Sequence, residues 1–140
     1  DALLYGATEG APPLDRSTAS IALFDGTPDA SLADAGPWLI DYQSASVPLR
    51  NALGSMASGP AGVSWLISAY PFSALAGELQ ERLDVRLPDG HIALFRFYDA
   101  RIMPAMAALM DFMQRTQFFV TTHHWLVELN GQLTGVHPHA

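Results

Sequence analysis

Short apolar runs between glycine, proline and aspartate residues predict the first strands of a sheet. They lie at residues 2–5, 20–24, 37–42 and 63–69. β-branched and aromatic residues enrich these runs, which is typical of strands. The run at 63–69 is apolar on both faces, so we expect it to lie in the middle of the sheet.

Helical periodicity appears between and after these runs. Apolar residues at three- and four-residue spacing predict helices over residues 46–57, 72–83 and 101–115. A shorter helix is predicted over residues 28–35, because Thr27 suits an N-cap and a proline follows it in the first turn.

Two turn sequences predict β-hairpins. Proline, aspartate and glycine at residues 88–90 favour a tight turn, and the asparagine-glycine pair at residues 130–131 is typical of a type I′ turn. The flanking strands are residues 85–87 with 92–98, and residues 124–129 with 132–136.

These elements together predict an α/β fold of the α+β kind. We expect a single compact domain with a mixed β-sheet, two hairpins and packed helices. Residues 1–19 form an N-terminal strand and loop region of that same domain, residues 20–136 form its main part, and residues 137–140 are a C-terminal tail.

One charged residue stands in an apolar segment. Alternation along residues 92–98 places Arg96 beside apolar neighbours, where a buried charge needs a carboxylate partner. Asp99 is close enough to pair with it and also suits the N-cap of the following helix. We expect an internal Arg96–Asp99 brace at this corner; the alternative is an arginine held for a carboxylate of a partner.

Methionines recur at helical spacing in the predicted helix over residues 101–115. They are Met103, Met106, Met110 and Met113. Such a stripe predicts a core-facing surface, and the alternative is an adaptable surface that grips a partner.

Composition excludes several classes of chemistry. The 140 residues contain no cysteine and no lysine, which removes thiolate catalysis, Schiff-base lysines and phosphate-loop lysines. A net charge of −7 argues against a nucleic-acid partner. No apolar run has the length of a bilayer span and no secretion-signal pattern is present, so we expect a cytoplasmic protein with no membrane partner.

Motifs for catalysis are also missing. There is no serine elbow and no glycine-rich nucleotide loop, so we predict no catalytic residue and no cofactor. One alternative is a small hydrolase with paired carboxylates, whose candidates are Asp25, Asp41, Asp99 and Glu128. Another is a small-ligand or metal-binding regulatory domain. His137 and His139 have the spacing of two ligands on one strand face, but no third ligand is near them, so no metal is predicted.

Several segments resemble domain-of-unknown-function family 4123. The strongest are LPDG at residues 87–90 and LFRFYDAR at residues 94–101. Others in the same order are LFDG at 23–26, GPWL at 36–39, SWLI at 64–67, FF at 118–119 and WLV at 125–127. The similarity spans roughly residues 20–130. Two features depart from the family pattern: Ala100 replaces a usual proline, and residues 6–20 differ from the usual first helix.

The resemblance implies a non-enzymatic adaptor chaperone of the type VI secretion system of Gram-negative bacteria. Such an adaptor binds a toxic effector protein and loads it onto the VgrG spike protein, so these two are the implied partners. The family has no catalytic residue to carry over. The matching positions are a signature for partner binding or for structure: Asp25, Gly26, Trp65, Arg96, Phe97, Tyr98, Asp99, Arg101, Phe119 and Trp125.

Overall fold

The computed structural model describes residues 2–6 and 14–136 of the chain. The strands are β1 (Ala2–Gly6), β2 (Ser20–Ala22), β3 (Pro37–Asp41), β4 (Val63–Ile67), β5 (Asp84–Arg86), β6 (Ile92–Leu94), β7 (His124–Leu129) and β8 (Gln132–Gly135). The helices are α1 (Val47–Ala57), α2 (Phe72–Glu81), α3 (Met103–Leu109) and α4 (Phe112–Phe118), with 3₁₀ helices at Ala30–Ala35 and Tyr42–Ser44.

Six strands form the main sheet in the order β2-β3-β1-β4-β7-β8, and β5 pairs with β6 in a separate hairpin. The predicted fold class is confirmed, since helices and sheet combine in an α+β arrangement with two hairpins. Where a mixed sheet was predicted, every pairing between the described strands is antiparallel. No helix in the described part of the chain is long and apolar enough to cross a lipid bilayer.

Local sequence signals place several elements where they were predicted. β4 lies between β1 and β7, and its residues Val63 and Leu66 are fully buried. The Ser46 hydroxyl caps α1 by accepting a hydrogen bond from the Leu49 N–H at 3.3 Å. Asn130 and its glycine neighbour both have positive φ, 53° and 77°, as a type I′ turn requires.

The first hairpin is shorter than predicted. β6 ends at Leu94, and the last bond of the ladder runs from the Phe95 N–H to the Leu83 carbonyl at 2.6 Å. Beyond it the backbone turns, because the Asp99 N–H bonds to the Arg96 carbonyl at 3.1 Å. The predicted strand over residues 92–98 is therefore wrong in its second half.

Two predicted helices also differ. The short helix is a 3₁₀ helix over Ala30–Ala35, and the Thr27 hydroxyl accepts a bond from the Asp29 N–H without capping it. The predicted helix over residues 101–115 is two helices, α3 and α4. The first helix ends at Leu109, because the backbone of Met110 is extended (φ −69°, ψ 136°). Asp111 then starts a new helix through a capping box with Gln114.

We expect the Asp111→Ala substitution to lower the free energy of unfolding by about 1 kcal/mol, because it removes an N-cap. The Asp111 carboxylate accepts from the Gln114 N–H at 2.8 Å, and the Gln114 amide oxygen accepts from the Asp111 N–H at 2.9 Å. Urea denaturation followed by circular dichroism measures the effect. Asp15→Ala, at an exposed acidic residue outside regular structure, is the matched control and is expected to change stability little.

Candidate functional site

Asp99 is the centre of a charged cluster at the corner between the hairpin and α3. Its side chain is only 6% exposed, whereas those of Arg96 and Arg101 are 52% and 51% exposed. One carboxylate oxygen accepts from the Arg101 backbone N–H and Nε, both at 3.0 Å. The other accepts from Nη2 of each arginine at 2.9 Å. Two half-exposed guanidinium groups therefore share one buried carboxylate.

The electrostatics of the cluster keep Asp99 ionised. Burial by itself raises the pKa of the Asp99 carboxyl, but hydrogen bonds from Arg101 and the charges of Arg101 and Arg96 outweigh it. The pKa of Asp99 consequently lies below its ordinary value. The same contacts raise the pKa of Arg101, so Asp99 and Arg101 remain charged at neutral pH.

The predicted brace exists, but its geometry differs from the prediction. Arg96 pairs with Asp99 as expected, yet it is the carboxylate that is buried and the arginine that reaches solvent. Asp99 also does not cap α3, since Ile102 holds the N-cap position and the Asp99 carboxylate bonds to the Arg101 N–H instead. The prediction of an internal Arg96 is wrong because its face-mates Ile92 and Leu94 are themselves exposed. The buried side of this segment is the opposite face, which carries Phe95 and Phe97.

A groove of about 930 Å³ lies beside this corner, between α2, the β5-β6 hairpin, α3 and α4. Its apolar lining includes Val85, Ala93, Leu94, Ile102, Met106 and Met110. Glu78, Glu81, Arg82, Asp84 and Arg96 add charged groups to the lining. The groove is thus an apolar surface with charged side chains of both signs around it.

Two arginines hold the helical walls of the groove together. The Arg82 Nε donates to the Phe118 carbonyl and its Nη2 donates to the Gln117 carbonyl, both at 3.1 Å, which ties α2 to the end of α4. Arg82 also forms an i,i+4 ion pair with Glu78 at 3.0 Å. The Arg115 Nε donates to the Ala107 carbonyl at 3.0 Å and ties α4 to α3.

Comparison with family models gives a match to the domain of unknown function DUF4123 over residues 2–117. The chain belongs to this family. No curated protein and no solved structure matches the chain. The family match covers the main-sheet strands β1 to β4, the hairpin and nearly all of both groove-lining helices after it.

Four of the ten positions that resemble the DUF4123 pattern are buried aromatic residues. They are Phe97, Tyr98, Phe119 and Trp125, each 7% exposed or less. Phe97 and Phe119 both pack edge-to-face on Trp125, with ring centroids 6.0 Å and 5.6 Å apart. The aromatic part of the DUF4123 signature therefore builds the core that supports the corner and the groove.

Besides the three residues of the charged cluster, the other signature positions lie in the main sheet and its turns. Trp65 is half-buried on β4, where its indole N–H donates to Glu128 at 2.9 Å. Asp25 and Gly26 form the turn after β2, and Gly26 has φ +72°, which favours glycine. Asp25 accepts a bidentate pair of bonds from Arg16 at 2.6 Å and 2.8 Å, and this pair lowers the pKa of its carboxyl.

The methionine stripe divides between core and groove, so the predicted core face is only partly correct. Met103 is fully buried, Met106 and Met110 are half-buried in the groove lining, and Met113 is 63% exposed. The spacing of the methionines was the one sequence signal for this groove. Nothing in the sequence indicated that Ala93 lines the groove, because its position there depends on how the hairpin packs against the helices.

The geometry gives no support to the alternative chemistries. Asp25 and Asp99 are held by arginines that lower their pKa, whereas a general acid needs a raised pKa. Asp41 accepts from the Ser44 hydroxyl at 3.0 Å, and Glu128 is bonded to Trp65. The described residues contain no group of three side chains able to hold a metal ion, and His137 and His139 lie outside them.

Proposed function

We propose that this DUF4123 protein is a non-enzymatic adaptor chaperone of a type VI secretion system. In the cytoplasm it binds a toxic effector protein and loads it onto the VgrG spike. The observation that carries the proposal is the apolar groove at the signature corner, because a protein-binding module needs an exposed apolar surface of this kind. Nucleic acid and membrane are not among the proposed partners.

The surface around the groove supports binding of a protein rather than of a small polar substrate. Leu109 lines the groove and is 79% exposed, and Phe112 and Met113 just beyond it are 77% and 63% exposed. Exposed apolar residues grouped in this way mark interaction sites on proteins. Burying them under a partner would remove apolar area from water and stabilise the complex.

The test is co-expression of this protein with the effector and the VgrG protein encoded beside its gene. We expect a complex with the effector that survives size-exclusion chromatography, and a several-fold rise in soluble effector. An unrelated secreted toxin of similar size serves as the control and is expected to give neither result. Loss of co-purification with both effector and spike would contradict the proposal.

Hydrolysis of ester, glycoside or phosphate substrates, abolished in folded Asp25→Asn or Asp99→Asn variants, would favour the hydrolase instead.

A further inference from the structure

Exposed apolar side chains concentrate on two neighbouring parts of the molecule. Of thirteen large apolar residues exposed within the described part of the chain, seven belong to the first hairpin or to the junction of α3 and α4. They are Val85, Leu87, Ile92, Leu94, Leu109, Phe112 and Met113. Three of them, Val85, Leu94 and Leu109, line the groove itself, which is therefore a candidate surface for an apolar partner segment.

Carboxylates outnumber guanidinium groups in the groove lining by three to two. Arg96 shares Asp99 with Arg101, so a net positive charge remains at the corner. Glu78 is already paired with Arg82, and Arg96 is paired with Asp99. Glu81 and Asp84 are exposed and have no ion-pair or hydrogen-bond partner among residues 2–6 and 14–136. Two unpaired carboxylates in the lining favour a partner that brings basic side chains, as complementary charge speeds association and sets orientation.

The hairpin offers a face of side chains to the groove. Val85 and Ala93 are direct cross-strand partners, so their side chains lie on the same face, and both line the groove. The neighbouring pair Asp84–Leu94 also lines the groove, so a bound segment meets side chains of both hairpin strands. An α-helix suits this surface because its own backbone groups are already bonded internally.

The remaining lining is suited to the ridged surface of a helix. Met106 on α3 and Met110 just after its end are four residues apart. Both are half-buried: they pack against the core and also line the groove. Methionine has a flexible, polarizable side chain that adapts to the shape of an apolar partner. Grooves that receive amphipathic helices use methionine in this way.

We propose that the groove receives an amphipathic helix of the effector, with its apolar stripe on the floor and a lysine or arginine paired with Glu81 and Asp84. This inference rests on the proposed adaptor function and names the surface and the chemistry of the segment that it binds. The apolar stripe contacts Ala93, Met106 and Met110, and the basic side chains lie along its edge toward α2 and β5.

Binding of the purified effector to groove variants tests the inference. The double variant Glu81→Arg/Asp84→Arg is expected to weaken binding about tenfold at low salt and to reduce the salt dependence of the affinity. Ala93→Trp fills the groove and is expected to weaken binding at least about tenfold. The controls are Asp15→Arg, which reverses one acidic charge, and Ala30→Trp, which adds the same side chain as Ala93→Trp; both positions are exposed and outside the groove. Both controls are expected to bind as the wild type does.

A photo-crosslinking amino acid in place of Met110 identifies the bound segment. We expect it to capture one effector segment with apolar residues at three- and four-residue spacing and a lysine or arginine beside them. Exchanging that base for glutamate is expected to restore binding to the Glu81→Arg/Asp84→Arg variant. Wild-type affinity in all groove variants, or capture of VgrG or of a segment without this pattern, would overturn the inference while the adaptor function stands. Failure of the wild-type protein to bind effector or spike would overturn both.

Discussion

Replacing Phe97 by alanine is expected to lower the free energy of unfolding by about 3–5 kcal/mol. The Phe97 side chain is fully buried, and its ring contacts four others. The centroid distances are 5.9 Å to Phe95, 5.7 Å to Tyr98, 5.5 Å to Phe118 and 6.0 Å to Trp125. The alanine variant would lose the free energy of burying the ring and its edge-to-face contacts. It would also contain a cavity that the surrounding rings fill only in part.

Chemical denaturation followed by tryptophan fluorescence measures this loss, because Trp125 belongs to the same cluster. Phe112→Ala is the matched control, since Phe112 is 77% exposed on the surface beside the groove. Its removal is expected to change stability by no more than about 0.5 kcal/mol. Equal effects of the two substitutions would show that Phe97 is not the centre of the core.

Removing both arginines that hold Asp99 is expected to cost about 3–5 kcal/mol, because a buried carboxylate then has no positive partner. Arg96→Ala or Arg101→Ala alone is expected to cost only about 1 kcal/mol, since the remaining arginine still pairs with Asp99 and each guanidinium is half exposed. The double variant therefore loses more than the sum of the single variants. A double-mutant cycle measures that coupling.

The pH dependence of stability gives the same test an independent readout. In the wild-type protein the pKa of Asp99 lies below its ordinary value of 3.8, so its ionisation contributes stability above that pH. This contribution is lost as the pH falls through the lowered pKa. In the double variant burial acts on Asp99 without the arginine charges, so the pKa of Asp99 is raised. The contribution of Asp99 to the free energy of unfolding then falls as the pH rises above 3.8, which is the opposite of the wild-type behaviour.

The control for both measurements is Arg86→Ala, because Arg86 is an exposed arginine on β5 outside the Asp99 cluster. It is expected to leave stability and its pH dependence near those of the wild type. Two results together would contradict the role assigned to the two arginines. They are additive losses of unfolding free energy in the double-mutant cycle and an unchanged pH dependence of stability below neutral pH.

The elements that were predicted correctly have causes within a few residues of chain. Ser46 caps α1 through a bond to a residue three positions later, and the Asn130-Gly131 turn needs only the φ values of those two residues. β4 was correctly placed in the middle of the sheet because apolar residues occupy both faces of this strand. The single helix predicted over residues 101–115 was wrong because the helical spacing continues across Met110 and Asp111, where the backbone is extended.

By itself the sequence determined the fold class, both turns, most element positions and the family resemblance, since backbone preference and the spacing of apolar residues are local properties. Tertiary structure alone decided that Asp99 is buried and Arg96 exposed, because burial depends on which distant segments pack over each side chain. Tertiary packing also determined where the groove forms. Arg82 reaches the carbonyl of Phe118, 36 residues away, and joins walls that no local pattern relates to one another. Burial and shape come from such long-range packing, and they determine which of the signature residues are exposed.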